Sequence, residues 1–557
     1  MIPSESILWA YAFAASALFP PAPLFDGTGG TATLASAAPD ARTHAHTTPF
    51  GIPTPRSGAL ASTYSADLYH RLHIAPLKID AGNVIGEQQH SVRVWNAYLY
   101  GRALEAIHFL DAEGITLAGG SVPASLPPLS EPAWTVRITQ AGPPVVAATL
   151  VFDFDGGDAY AMPVTGSRVT AWVWLPDWSE PFLERYVWMT DVLQAHDGAE
   201  RRRALRLGPR RQVEWSCVVE GSSRRRLENT AHGWGARVWA RPDVARGAQL
   251  TATAPAGSTA LAFATDYMGL SAGDMIMLHD GAQRAEIATV AAVSAGGVVL
   301  ERPTVGAWSA GSRIYRALAS RLDGPLTLTH ESDTISRLRV DFADLAPADW
   351  PADHGLASYR GAPVLTLRHD WSEQPAHTLH RKLDLIDHEV GGIYWDDESG
   401  HPEPVRVREY LLHGRAAIDA FQRLLCALRG RQGVAWIDSG VTDCLAAAPM
   451  PGVGVALDIE WSGYALYVAA ARGRRDLRID TTAGVFHRRV IAAEELSGSI
   501  ERLTLDAPLG VNLNANDFRR ISILTPCRLD ADAVELAWIT DSLARCRIAW
   551  RSVPDEL

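Results

Sequence analysis

The chain has 557 residues, 47% hydrophobic and 20% charged, which calls for several domains with sizeable cores and excludes a disordered or membrane-embedded protein. Its net charge of −12 excludes a general nucleic-acid binder, which needs a basic footprint. Lys78 and Lys382 are the only lysines, so nearly all positive charge is arginine, whose planar fork grips carboxylates bidentately and suits partly desolvated interfaces.

Ile7 to Phe19 is an apolar run too short to span a bilayer, and only Glu5 is charged before it, without the basic start of a signal peptide. It reads as a strand or arm that buries against another domain or subunit, with no membrane insertion. Residues 20–62, rich in Pro, Gly, Ala, Ser and Thr, read as an extended linker, so 1–65 form an N-terminal arm and linker.

From Leu72 short runs alternate apolar with polar between turn residues, as in SVRVWNA, and continue to about Thr165. Strands at that spacing predict a β-sandwich over 66–165. The stretch resembles immunoglobulin-like domains that open on an I-D-x-G-x-V strand and follow with V-x-V-x-N. The matching residues are Ile79, Asp80, Gly82 and Val84, then Val92, Val94 and Asn96.

The next segment predicts a helix. Pro181 suits a first helical position, Phe182, Tyr186, Met189 and Leu193 recur at helical spacing, and Asp197-Gly198 ends the pattern. An arginine-rich turn (Arg201 to Arg211) and a strand from Gln212 to Cys217 follow. Between about 249 and 322, short strands with Gly-rich turns predict a small β-barrel within a first repeat, 166–345. In the second repeat, 346–557, Ile418, Phe421, Leu424, Leu425 and Leu428 stripe a helix over about 414–429. The strand Val434-Ala435-Trp436 and a β-module over about 464–550 come next.

The halves match in sequence: Pro303 with Pro508, Arg313-Ile314 with Arg520-Ile521, and Arg321-Leu322-Asp323 with Arg528-Leu529-Asp530. Asp333, Arg337 and Phe342 continue as Asp541, Arg545 and Trp550. Duplication of strand-rich modules without a catalytic motif inside them predicts a building block before an enzyme. The expected fold is therefore mostly β and multidomain, an immunoglobulin-like β-sandwich plus two duplicated helix-and-β-barrel modules.

Candidate chemistry is sparse. Asp153-Phe154-Asp155-Gly156-Gly157-Asp158 superficially resembles a calcium loop but lacks the bidentate glutamate, so a hairpin tip is expected. Asp396-Asp397-Glu398 beside Trp395 offers carboxylates and a sugar platform for glycoside hydrolysis, against the plainer reading of a solvated turn. His44 and His46, and the group His369, His377 and His380, lack metal-site spacing. Cys217, Cys426, Cys444, Cys527 and Cys546 are odd in number with no CxxC pair, and predict buried thiols in a protein made in a reducing cytoplasm. HExxH motifs and Walker loops are absent from the sequence. No catalytic, cofactor or metal residue is expected.

One pattern carries a family resemblance. Trp174, Asp177, Trp178, Pro181, Glu184, Arg185, Trp188, Thr190, Asp191 and Val192 spell W-x-x-D-W-x-x-P-x-x-E-R-x-x-W-x-T-D-V. Asp197, Gly198, Glu200, Arg202, Ala204, Leu205, Arg206, Pro209 and Arg210 continue it, and Leu412, Gly414, Arg415, Ala417, Ile418, Phe421, Leu424, Arg429, Gly430 and Arg431 follow later. Over roughly 70–550 the chain resembles tail proteins of long-tailed, siphovirus-like bacteriophages, and within them distal tail or baseplate proteins. The resemblance implies a virion structural protein at the tail tip, a hexameric ring joining tail tube protein to baseplate hub and fibre proteins, with DNA passing through its lumen. It transfers no catalytic residue. The chain is longer than a minimal distal tail protein. Ring assembly asks for aromatic and arginine anchors, and the candidate interface residues are Trp174, Trp178, Arg185, Trp188, Arg202, Arg206, Arg210, Arg415, Arg429 and Arg431. A threefold hub and a carbohydrate-binding or depolymerase tail module are the alternatives.

Overall fold

The structure, a computed structural model, describes residues 68–554 apart from 140, 144, 196–197, 235–237, 349–350, 352, 398–399, 469–470 and 472. The expected arm and linker, with His44 and His46, lie outside the described residues. The fold is mostly β and divides at Thr170/Ala171 into two units.

In the first unit, two sheets enclose one core. The first runs β1 (Leu72–Ala75), β3 (Gln88–Asn96), β7 (Ala133–Ile138) and β5 (Ile115–Ala118), all antiparallel. The second runs β6 (Ala124–Leu126), β4 (Arg102–Leu110), β8 (Val145–Phe154), β9 (Ala159–Ala171) and β2 (Ile79–Val84), with β2 parallel to β9. Successive strand residues face opposite sides, so Val92, Val94, Trp134 and Val136 of one sheet meet Leu104, Leu150, Phe152 and Val164 of the other. The Asp153–Asp158 segment is the β8–β9 hairpin tip. Its carboxylates hold a guanidinium: Arg102 donates to Asp155 at 2.6 Å and Asp158 at 2.9 Å.

The second unit is built twice. Its first half runs β10 (Phe182–Val187), β11 (Thr190–Gln194), β12 (Glu200–Ala204), β13 (Arg210–Glu220), helix α1 (Gly221–Trp234), β14 (Val238–Pro242), β15 (Ala248–Gln249) and β16 (Ala260–Ala262). It continues through β17 (Met275–His279), β18 (Ala285–Ser294), β19 (Gly297–Leu300), β20 (Arg313–Leu322), β21 (Thr327–His330) and β22 (Ile335–Asp344). A small hairpin follows, β23 (Ser358–Tyr359) and β24 (Ala362–Pro363). The second half then runs β25 (Ala376–His380), β26 (Leu383–Ile386), β27 (Tyr394–Asp397), β28 (Glu403–His413), α2 (Arg415–Leu428), β29 (Ala435–Asp438) and β30 (Ala456–Glu460). After the short α3 (Tyr464–Tyr467) come β31 (Asp476–Thr481), β32 (Val485–Ser497), β33 (Ile500–Leu505), β34 (Phe518–Leu529), β35 (Ala533–Thr540) and β36 (Leu543–Ser552).

The ladders recur in register. Phe342 faces Val213 on β13 and Leu322 on β20; Trp550 faces Arg406 on β28 and Leu529 on β34. A β-bulge falls between Val290 and Ala292 in β18, and again between Val490 and Ala492 in β32. At the strand-to-helix corner sits a positive-φ glycine in each half, Gly221 (φ 51°) and Gly414 (φ 85°). Their N–H groups bond the equivalent carbonyls of Thr334 (2.9 Å) and Ser542 (2.7 Å). Separate satellite cores fill the two β-modules with like residues, Leu261, Ile276, Val290 and Ile314 in one, Leu457, Leu477, Val490 and Ile521 in the other.

Two expectations need correction. Residues 181–193 form β10 and the start of β11; the helix of the first half is α1. Burial of Phe182, Glu184 and Tyr186 on one face is the period-2 signature, disguised in the sequence because the middle residue is a charged glutamate. The β-modules do not close into barrels: β16, β19, β18, β17 and β20 pair in an open order.

Candidate assembly interface

The two halves of the second unit meet edge to edge at β10. One edge of β10 pairs with β13 of its own half, the other with β35 of the second, where Leu183 faces Ala537 and Arg185 faces Glu535. One sheet therefore runs β21-β22-β13-β10-β35-β36-β28-β25 through both halves. Beneath it a shared core brings Trp172, Trp215 and Phe342 together with Phe421, Trp538 and Trp550. Trp172 meets Trp174, Trp239 and Phe342 edge-on at 5.0–5.2 Å, geometry that adds about 1 kcal/mol per pair to the area buried.

At the centre of the joint lies Glu184, fully buried. It accepts hydrogen bonds from Arg211 (2.5 Å) and Tyr186 (2.6 Å) in the first half, and from Trp538 (2.8 Å) and Gln422 (3.3 Å) in the second. Arg211 also reaches Asp243 (2.9 Å), which pairs with Arg246 (2.7 Å), while Arg241 holds Asp344 through two 2.8 Å bonds. Three guanidiniums thus balance three carboxylates. Burial pushes the Glu184 carboxyl pKa up, but Arg211 and Arg246 outweigh it and hold the group below the usual carboxylate range.

The β11–β12 hairpin clamps the joint from outside. Thr190 bonds Asp532 through its N–H and hydroxyl, both at 2.8 Å. Arg528 grips Glu200 bidentately at 2.6 and 2.7 Å, and Arg431 donates to the Thr190 carbonyl at 2.7 Å.

The equivalent elements at the two outer ends are bare. By the shared ladders, β25 corresponds to β10: His377 faces Arg406 as Glu184 faces Val213. Likewise β21 corresponds to β35, with Leu328 facing Leu338 as Leu536 faces Cys546. Yet β25 is exposed throughout and β21 nearly so, whereas alternate residues of β10 and β35 are buried. Among the described residues, neither β25 nor β21 has a ladder on its outer edge. The β26–β27 hairpin, counterpart of the clamp, exposes Leu383, Leu385, Ile386, Ile393, Tyr394 and Trp395.

The candidate interface residues fall mostly around the inner joint. Arg185 pairs with Glu535 across it at 2.8 Å, and Trp188 is buried with its backbone N–H on the Asp532 carbonyl. Arg429 is the left-handed cap of α2, its carbonyl accepting the Thr190 hydroxyl, and Arg431 joins the clamp. Arg202 lies beside Glu200 in the hairpin, Arg206 donates to the Val187 carbonyl, and Arg210 faces Val187 across the β10–β13 ladder. Trp174 is core, with its indole N–H on Ser223. Trp178 and Arg415 line a groove of about 690 Å³ between the halves, where Arg415 pairs with Asp541 at 3.0 Å. Arg185, Trp188, Arg429 and Arg431 thus touch the opposite half of the chain, while the contacts of Trp174, Arg202, Arg206 and Arg210 stay in the first half and the ion pair of Arg415 stays in the second. Asp396 and Asp397 sit on the exposed hairpin, Asp397 paired with Arg381, and Asp396 facing Asp384 across the ladder. His369 meets Trp371 with tilted rings, centroids 4.4 Å apart, while His377 and His380 lie on β25, and no metal-holding cluster occurs among the described residues.

Sequence reading missed Glu184 as the keystone, and it missed the clearest mark of the repeat. Asp177-Trp178-Ser179-Glu180 recurs as Asp370-Trp371-Ser372-Glu373. Each makes the same turn, the serine N–H on the aspartate carboxylate at 2.9 Å.

No family model and no curated protein matches the chain. Among solved structures, the secreted serine protease VesC from Vibrio cholerae aligns with 48% of this chain and 49% of its own length, at 12% identity and a TM-score of 0.15. The alignment spans about half of that protease, and at this TM-score it carries no argument about fold or activity.

Proposed function

We propose that this chain is a structural virion protein of a bacteriophage tail tip that assembles into a ring between tail tube and baseplate hub and fibres. The observation that carries the proposal is the joint between its halves: the chain consists of a module that binds a copy of itself edge to edge, and ends in the bare counterparts of both partner edges. Such heterologous contacts build a ring where the rotation between modules closes, and an open filament where it does not. The resemblance of the Trp174–Arg210 and Leu412–Arg431 segments to phage tail proteins supplies the setting. The two sheets of the first unit, with the Ile79–Val84 and Val92–Asn96 strands, support reading it as an immunoglobulin-like decoration of that ring. Among the described residues no helix is long and apolar enough to cross a membrane.

The duplication favours one alternative, a threefold hub: three chains already present six like modules, which six single-module chains would otherwise supply. Light scattering with negative-stain imaging of the purified chain separates the two. A ring of six chains supports the distal-ring reading, and a ring of three supports the hub. A chain that stays monomeric at every concentration contradicts both.

A further inference from the structure

We propose that neighbouring copies join by a β25-to-β21 ladder that copies the inner β10–β35 joint residue for residue. This rests on the assembly reading above and adds the surface, the partner and the register. The partner is a second copy of this chain, because its first half offers β21, the edge whose internal counterpart β35 is seen bound to β10, the counterpart of β25.

The register follows from the equivalences. Leu183–Ala537, Glu184–Leu536, Arg185–Glu535 and Tyr186–Val534 of the inner joint map onto Ala376–Thr329, His377–Leu328, Thr378–Thr327 and Leu379–Leu326 of the outer one. Pro375 and Pro325 fall just beyond these four pairs and bound the ladder, since proline has no N–H to give. The residues suit it. His377 and Leu379 occupy the inward positions held by Glu184 and Tyr186, and Leu326 and Leu328 those of Val534 and Leu536. Leu379 is 58% exposed in the single chain and gains cover in the joint. Thr378 opposite Thr327, where the inner joint has an ion pair, is a favourable cross-strand match.

The clamp transfers too. In the inner joint the β11–β12 hairpin lies on Arg528, at the end of β34, and on Asp532, in the turn before β35; in the first half the end of β20 carries Arg321 and the following turn is Asp323-Gly324-Pro325. The β26–β27 hairpin reaches it with Leu383, Ile393 and Trp395 in place of Thr190, Glu200 and Arg202. A polar clamp inside the chain becomes an apolar clamp between chains, which is what a lasting interface uses. Left open, this edge and its hairpin form a template for indiscriminate pairing.

The test is a full-length chain carrying Thr378→Cys and Thr327→Cys, treated with a short bismaleimide. Within one chain these positions lie at opposite ends of the eight-stranded sheet, roughly 34 Å apart along it at about 4.8 Å per strand, so a short linker joins them only between copies. The expected result is a ladder of covalent multimers from the double variant, no species beyond dimer from either single variant, and at least threefold less product from the shifted pair Thr378→Cys with His330→Cys. Rings that persist while the in-register pair links no better than the shifted pair overturn this joint and leave the assembly reading intact. A chain that neither assembles nor links overturns both.

Discussion

At the residue scale, Glu184 decides the inner joint. Its two oxygens tie together an arginine and a tyrosine of one half with a tryptophan and a glutamine of the other, so removing the charge leaves Arg211 and Arg246 underpaired in a fully buried site. We expect Glu184→Gln to lower the stability of the full-length chain to urea by about 3 kcal/mol. The sign of the pH dependence follows from its depressed pKa. The stabilisation is fully present above the ordinary carboxylate range and is lost as pH falls below about 4 through the folded value. The wild type therefore loses stability between pH 5 and 3 more steeply than Glu184→Gln, and parallel acid curves for the two contradict this assignment. The same residue explains a misreading: a buried carboxylate counts as polar in a hydrophobic pattern, so Phe182-Leu183-Glu184-Arg185-Tyr186 lost its strand period, and the chance spacing of Phe182, Tyr186, Met189 and Leu193 looked helical.

At the element scale, the repeat unit is strand, glycine corner, helix, strand, then an open β-module. The corner needs glycine in the second half: Gly414 has φ 85° and ψ 145°, a region closed to residues with a side chain, and a Cβ there meets nothing within 4 Å. Backbone strain alone then sets the cost, and Gly414→Ala is expected to destabilise the chain by about 1–3 kcal/mol in urea titration, with no change in the core. A cost near zero contradicts the strain account. Element legibility tracked burial. The helix α2 shows five apolar side chains on one face and was plain in the sequence. In α1, Leu227 is the one residue buried below the surface among the described side chains, so Ser-Ser-Arg-Arg-Arg gave no stripe to find. The β-module matches from Pro303 to Trp550 were readable because Arg-Ile and Arg-Leu-Asp recur verbatim. The hairpins before β13 and β28 were not, because one is polar and clamped while the other is apolar and bare.

At the scale of the whole molecule, the duplication turns an internal interface into a pattern for an external one. Of the arginines and tryptophans singled out from the sequence, Arg185, Trp188, Arg429 and Arg431 bridge the two halves of the chain; residue chemistry marks a contact surface without telling which chain supplies the other side. The edges that await a partner carry no arginine cluster. They are short strands flanked by proline, Ala376–His380 and Thr327–His330, recognisable only once their covered counterparts are known.

Hydrogen exchange of the purified chain, compared below and above its assembly concentration, tests that claim most directly. The amides of 183–187 and 533–537 are protected in both states, since the inner joint belongs to the fold. The account predicts that the outward-pointing amides of 376–379 and 326–329, those not bonded to β28 or β22, exchange freely in the single chain and become slow on assembly, and that exchange in the 383–397 hairpin slows with them. Assembled particles in which these two edges still exchange as fast as in the monomer contradict it.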